Sequence, residues 1–174
     1  MWVSLIVDNN DILRRLRYTL DLDDRAMIRT FALADHEVTR EQISCWLKKE
    51  DDPDFQRCID VQLATFLSGL INLKRGKREG VQPKPEKHLT NNIILRKLKI
   101  ALDLKAEDIL HILAAMDVVI SKHELSAFFR NSSHKHYREC KDQVLRNFLQ
   151  GLQHRHRKSE PMNPWAAFEP KSGE

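Results

Sequence analysis

Glycine is scarce in this chain: five residues in 174, of which only Gly69 and Gly151 fall inside strongly periodic segments. Proline is nearly as rare, and most of its six residues lie between or after those segments. A turn-rich β fold needs both residue types to reverse the chain every few residues, so their shortage points to helices. Cysteine is limited to Cys45, Cys58 and Cys140, with no C-x-x-C pair and no metal-ligand spacing. Such thiols read as reduced core cysteines of a cytoplasmic protein. No apolar run is long enough for a bilayer. Residues 1–7 are apolar but lack the basic start and small-residue cleavage site of a signal peptide. Also missing are G-x-x-x-x-G-K, G-x-G-x-x-G, H-E-x-x-H and G-x-S-x-G, the spacings of phosphate, dinucleotide, zinc and acyl chemistry. No cofactor, metal or catalytic residue is therefore expected.

What is present is one pattern written twice. Asn9-Asn10-Asp11-Ile12-Leu13-Arg14-Arg15-Leu16 returns as Asn91-Asn92-Ile93-Ile94-Leu95-Arg96-Lys97-Leu98, an offset of 82 that holds without a gap to Arg75 and Arg157. Over those 67 aligned pairs, 20 are identical, among them Asp35/Asp117, Ser44/Ser126, Cys58/Cys140 and Gly69/Gly151. Self-similarity at a fixed period marks a repeat architecture. The expected plan is repeat 1 over 8–75, a Pro- and Lys-rich linker over 76–89, repeat 2 over 90–157, and a tail over 158–174 whose composition predicts disorder.

Apolar spacing predicts four helices in each repeat. Leu13, Leu16 and Leu20 make one stripe, repeated by Leu95, Leu98 and Leu102, with Asp8 and Thr90 placed as N-caps. The second helix turns Met27, Ile28, Phe31 and Ala32 inward, matched by Ile109, Leu110, Leu113 and Ala114. Thr39-x-x-Gln42 and Ser121-x-x-Glu124 read as capping boxes opening a third helix, with Ile43, Trp46 and Leu47 or Leu125, Phe128 and Phe129 as its apolar face. The fourth is longest, with Ile59, Leu63, Phe66, Leu67 and Leu70 in one stripe and Val144, Leu145, Phe148, Leu149 and Leu152 in the other. Gly69 and Gly151 interrupt these stripes at the same place, which predicts close helix approach where the repeats meet. The fold class is all-α: two tandem four-helix repeats related by internal duplication and a pseudo-twofold, packed into one compact body.

Charge separates the halves. Residues 8–75 carry 11 Lys/Arg against 13 Asp/Glu, whereas residues 90–157 carry 12 against 7 and six of the eight histidines. A basic half suits a polyanion, and Arg96, Lys97, Lys99, Lys122 and Arg130 are its candidate contacts. Off the apolar stripe, the same residues also suit an ordinary solvated face. Residues 22–47 have the outline of a helix-turn-helix, in which Arg40 and Gln42, or Lys122 and His123, enter the major groove. Against that outline, the turn around Asp35-His36-Glu37-Val38 is longer than the tight motif, lacks its glycine and carries two acids.

The remaining candidates are weaker. Asp21/Asp103 and Asp35/Asp117 sit beside helix ends, where capping explains them, and Asp60/Asp142 recurs as well. His134/His136 and His154/His156 are each two apart, so on a helix neither pair chelates one metal by itself. In the tail, Trp165 and Phe168 are expected to dock in an apolar groove of this chain or of a neighbour.

The strings from Asn9 to Leu22, from Trp46 to Pro53 and from Leu73 to Gly80, with Tyr137 to Leu149 in the second copy, resemble the YehS-like family. That is a bacterial group of small, duplicated cytoplasmic proteins of unknown function. The resemblance spans about residues 8–157. It implies a helical fold in two copies and supplies no activity, cofactor or catalytic residue. Residues 1–7 and 163–168 lie outside the shared pattern.

Three function classes follow. The first is a non-enzymatic binding or interaction module, with a protein partner or self-association, favoured by the missing catalytic spacings and by the duplication. The second is a nucleic-acid-binding regulator using the helix-turn-helix-like segment. The third is an enzyme with an unrecognised site at the repeat junction.

Overall fold

Repeated caps delimit the helices of this chain. The computed structural model describes residues 7–157, and among them it places eight helices and no strand. Repeat 1 holds α1 (Asn9–Thr19), α2 (Asp24–Ala32), α3 (Arg40–Leu47) and α4 (Asp60–Arg75). Repeat 2 holds α5 (Asn91–Ala101), α6 (Ala106–Ala114), α7 (Lys122–Phe128) and α8 (Asp142–His156). Asp8 and Thr90 cap α1 and α5 by accepting from Asp11 N and Ile93 N, and both predicted capping boxes are closed. Each satisfies amides that a helix start leaves without a partner.

Four helices stop in the same way. Asp21, Asp35, Asp103 and Asp117 take φ of 53°, 56°, 51° and 60°. The amide after each reaches back over the last turn: Leu22 N to Arg17 O at 2.9 Å, His36 N to Phe31 O at 3.2 Å, Leu104 N to Lys99 O at 2.9 Å and Val118 N to Leu113 O at 3.0 Å. This left-handed stop caps orphan carbonyls, and aspartate tolerates its backbone better than most residues. The paired aspartates therefore work as C-terminal stops through their backbone. The N-cap of α2 is a different residue, Asp23.

The pseudo-twofold is visible in the packing. α4 lies against α5, and its counterpart under the offset, α8, lies against α1. These four helices form the centre, with α2–α3 packed on one side and α6–α7 on the other. Two ion pairs repeat the symmetry: Arg75 reaches Asp103 at 3.1 Å, and Arg157 reaches Asp21 at 3.5 Å. Both arginines and both aspartates are kept in the two copies because each pair joins one repeat to the other.

A second repeated device closes each half. The Asn10 carboxamide, 2% exposed, donates to Trp46 O and Gln56 O and accepts from Cys58 N. Asn92 does the same with Phe128 O, Arg138 O and Cys140 N. Beside them, Asn9 donates to Cys58 O and Asp60 Oδ1, and Asn91 to Cys140 O and Asp142 Oδ1. The Asn-Asn pair thus ties the start of the first helix to the loop between the third and fourth.

Leu13/Leu95, Leu63/Leu145 and Phe66/Phe148 are fully buried in equivalent places, as the stripes predict. Several predicted positions differ. Ile59 is not in the α4 stripe but at its N-cap, 52% exposed, and Ala32 and Ala114 close α2 and α6 on the exposed side. Leu20, Ile28, Leu47, Leu102, Leu110, Phe129 and Val144 are half-buried around the core. The two glycines do not mark the junction between repeats. A Cβ on Gly69 would overlap the Thr30 carbonyl, and one on Gly151 the Ile112 carbonyl, so each brings its helix onto α2 or α6 of the same repeat. The linker 76–89 has no helix and is strapped down: Leu89 N donates to Asp60 Oδ2, and Asn72 Nδ2 to Gln82 Oε1. Trp165 and Phe168 lie outside the described residues.

Two stability predictions follow from these contacts. Asn10→Asp loses the donors for Trp46 O and Gln56 O, and buried groups left unpaired cost roughly 1–3 kcal/mol each. It should destabilise as much as Asn10→Ala, about 3 kcal/mol, read from denaturant unfolding; a loss under about 1 kcal/mol would refute the latch. Gly69→Ala gains about 1 kcal/mol of helix propensity but must displace backbone, at roughly 1–3 kcal/mol or more. A net loss of stability is expected, and a raised denaturation midpoint would contradict the close approach.

Candidate polyanion site in the second repeat

The polar residues shared by the two repeats are largely accounted for by the fold: asparagines in the latch, aspartates at helix ends, arginines across the junction. An open cleft of about 400 Å³ lies at the starts of α1 and α4, where Asp8 and Asp60 oppose Arg57 and Lys87. Asp60 already accepts from Asn9 and from Leu89 N. Function is better sought where the two repeats differ, which is in surface charge.

Two of the five predicted cations meet at Phe129, and a third is its neighbour in sequence. Arg96, on the exposed side of α5, donates Nη2 to the Phe129 carbonyl at 2.9 Å. Lys99, one turn on, holds its ammonium 5.5 Å from the centre of the Phe129 ring. Arg130 follows Phe129 in sequence and donates Nη1 to the His136 carbonyl at 2.9 Å. Among the described residues, no ion pair joins any of the three to a carboxylate. Backbone carbonyls and a ring position these charges without neutralising them.

The other two candidates do not join this group. Lys97, whose side chain is 12% exposed, donates to Ser68 Oγ at 2.8 Å and pairs with Glu86 at 3.0 Å. It fastens α5 to α4 and the linker, a role its off-stripe position does not reveal. Lys122 pairs with Glu107 at 2.7 Å, and that hydrogen bond holds the Glu107 carboxyl below its usual range.

In repeat 1 the counterparts of Arg96 and Lys99 are both paired with carboxylates. Arg14, the counterpart of Arg96, donates to Lys48 O but also pairs with Asp11; Arg17, the counterpart of Lys99, pairs with Asp24 at 3.3 Å. The offset turns Asp11 into Ile93 and Asp24 into Ala106. In the next loop, Glu50, Asp51, Asp52 and Asp54 become Ser132, Ser133, His134 and His136. His134 and His136 therefore stand where repeat 1 has acids, and the His136 carbonyl accepts from Arg130. Aligning the two loops position by position is the sequence signal that finds them.

The helix-turn-helix outline fares differently. At the first turn of α7, Lys122 is paired with Glu107, and Glu124 closes the capping box and pairs with Arg138 at 3.5 Å. In repeat 1, Arg40 pairs with Asp24 at 3.5 Å and Gln42 closes its own box. Among the described residues no group of three or more His, Cys, Asp or Glu is placed to hold a metal ion, and no helix is long and apolar enough to cross a membrane.

Burial pushes the Cys58 and Cys140 thiols up to about 12, with nearby Asp60 and Asp142 adding to the effect. The thiolate is the nucleophile, so both should be inert at pH 8 while half-buried Cys45 reacts. Brief iodoacetamide treatment of the native protein should add one label by mass spectrometry, and three in denaturant. Prompt labelling of Cys58 or Cys140 in the native protein would contradict this burial.

Comparison with known proteins agrees with the duplication. The family model described as a protein of unknown function (DUF1456) matches twice, at residues 9–76 and 91–158. The uncharacterized protein YehS of Escherichia coli (strain K12) is 49% identical over 145 residues, covering 83% of this chain and 93% of that protein. No solved structure matches. With its helical unit present twice in tandem, the chain belongs to the DUF1456 family of proteins of unknown function.

Proposed function

We propose that this protein is a non-enzymatic binding module of the cytoplasm that holds a polyanionic partner on the α5–α7 side of its second repeat. The observation that carries this reading is the contrast at Phe129: Arg96 and Lys99 meet there without carboxylate partners, where Arg14 and Arg17 of repeat 1 have Asp11 and Asp24, and Arg130, next to Phe129 in sequence, is without one too. Duplication supplied two similar frames, of which the first carries an excess of acids and the second an excess of bases. Uncompensated charge held in place by the fold attracts a polyanion without the loss of an existing ion pair. Support for a binding role also comes from the shared polar residues, which serve the latch, the helix stops and the junction rather than forming a reactive set.

A regulator reading duplex DNA through α7 has less support, because the first turn of that helix is engaged with Glu107 and its own cap. The test is binding of fluorescein-labelled heparin and of inorganic polyphosphate, followed by anisotropy at two salt concentrations. The parent protein should bind at low salt and weaken steeply as salt rises, since each charge contact releases counterions. Replacing Arg96, Lys99 and Arg130 by glutamine should lower affinity at least tenfold and flatten the salt dependence. Lys122→Gln, whose cation is already paired, should change affinity less than twofold. Absence of binding by the parent protein, or equal binding by the triple variant, would defeat the proposal.

A further inference from the structure

The cation site has neighbours that say more about its ligand. Arg130 bonds to the carbonyl of His136, so the loop after α7 is fastened to the cation that follows Phe129. Within that loop His134 and His136 are both exposed, with ring centroids 5.7 Å apart and planes inclined by 45°. The backbone sets them there. His136 N donates to His134 Nδ1 at 3.0 Å, and Tyr137 N to His134 O at 2.9 Å, so the turn holds the His134 ring before any ligand arrives. Their counterparts in repeat 1 are Asp52 and Asp54, which would repel any phosphate.

We propose that this site takes a short stretch of single-stranded nucleic acid, with phosphates on Arg96, Lys99 and Arg130 and bases on His134 and His136. This rests on the polyanion reading above and adds the class of ligand. Arg96 and Arg130 each commit one amino group to a backbone carbonyl. The rest of each guanidinium remains for the two-pronged contact that phosphate accepts. Arg96 and Lys99 on Phe129, with Arg130 next to it in sequence, suit a few neighbouring phosphates of one strand. A duplex reader instead needs a helix whose first turn enters the groove, and α7 presents Glu124 and the Lys122–Glu107 pair there. Exposed rings beside cations favour a strand whose bases are free to unstack and lie on them, which paired bases inside a duplex are not.

The experiment uses the full-length chain and fluorescence anisotropy. Its probes are oligo(U) and oligo(dT) of about 12 nucleotides, a duplex of the same length, and inorganic polyphosphate. Single strands should bind at least tenfold more tightly than the duplex. The double variant His134→Asn, His136→Asn removes both rings, while an asparagine at 134 still offers an acceptor to the amide two residues on. It should weaken single-strand binding about tenfold and leave polyphosphate binding within twofold. The triple glutamine variant of the cations should lose both ligands. If the duplex binds as well as the single strand, or the asparagine variant binds single strands like the parent, this inference fails while polyphosphate binding keeps the polyanion reading alive. If neither polyphosphate nor any oligonucleotide binds at low salt, both readings fall together. Circular dichroism of each variant checks that it is folded. Should the asparagine pair unfold, the single variant His136→Asn carries the same comparison.

Discussion

The buried carboxamide of Asn10, repeated by Asn92, is the contact on which each half of the molecule depends. A helix start, a helix end and the approach to a fourth helix converge there, and all bring backbone groups away from water. Two carbonyls and one amide need partners, and asparagine has the donors and the acceptor for all three on a short side chain. Each bond contributes roughly 1 kcal/mol net, but leaving its partner unpaired costs more, so the position tolerates little else. Aspartate would lack the donors, and an apolar residue would strand all three groups.

Pinning the loop at its base left its outer part free to vary. Residues 50–54 are acidic and residues 132–136 carry serine and histidine, yet the anchoring bonds are the same in both repeats. Gln56 N to Cys45 O and Arg138 N to Ala127 O repeat the anchorage on the other strand of the loop. Charge could therefore change sign across the pseudo-twofold without disturbing the core. The same logic holds at α1 and α5, where Asp11 and Ile93 occupy equivalent places on one helical frame. The junction, by contrast, kept its charges, because Arg75–Asp103 and Arg157–Asp21 each bind one repeat to the other.

Much of this architecture was legible in the chain itself. A gapless offset, four apolar stripes per copy, the N-caps at Asp8 and Thr90 and both capping boxes are local signals, and periods and caps depend on neighbours within one or two turns. The buried positions of Leu63/Leu145 and Phe66/Phe148 followed for the same reason. Local reasoning misplaced Ile59, because a stripe of apolar residues does not show at which turn a helix begins. It placed the glycines at the wrong contact, since a missing Cβ signals close approach without naming the partner.

The sequence by itself determined the duplication, the helical class and the charge difference between the halves. Only the tertiary structure decided which charges are free. Lys97 and Arg96 are adjacent, equally basic and both off the apolar stripe, yet one is held by Ser68 and Glu86 while the other rests on a carbonyl. For Lys97 and Lys122 the neutralising carboxylate lies in another element, Glu86 of the linker and Glu107 of α6, and packing rather than any period along the chain brings it within reach. The tertiary fold likewise brought Arg96 and Lys99 onto Phe129 and fastened Arg130 to the backbone of His136, whose ring lies near that of His134.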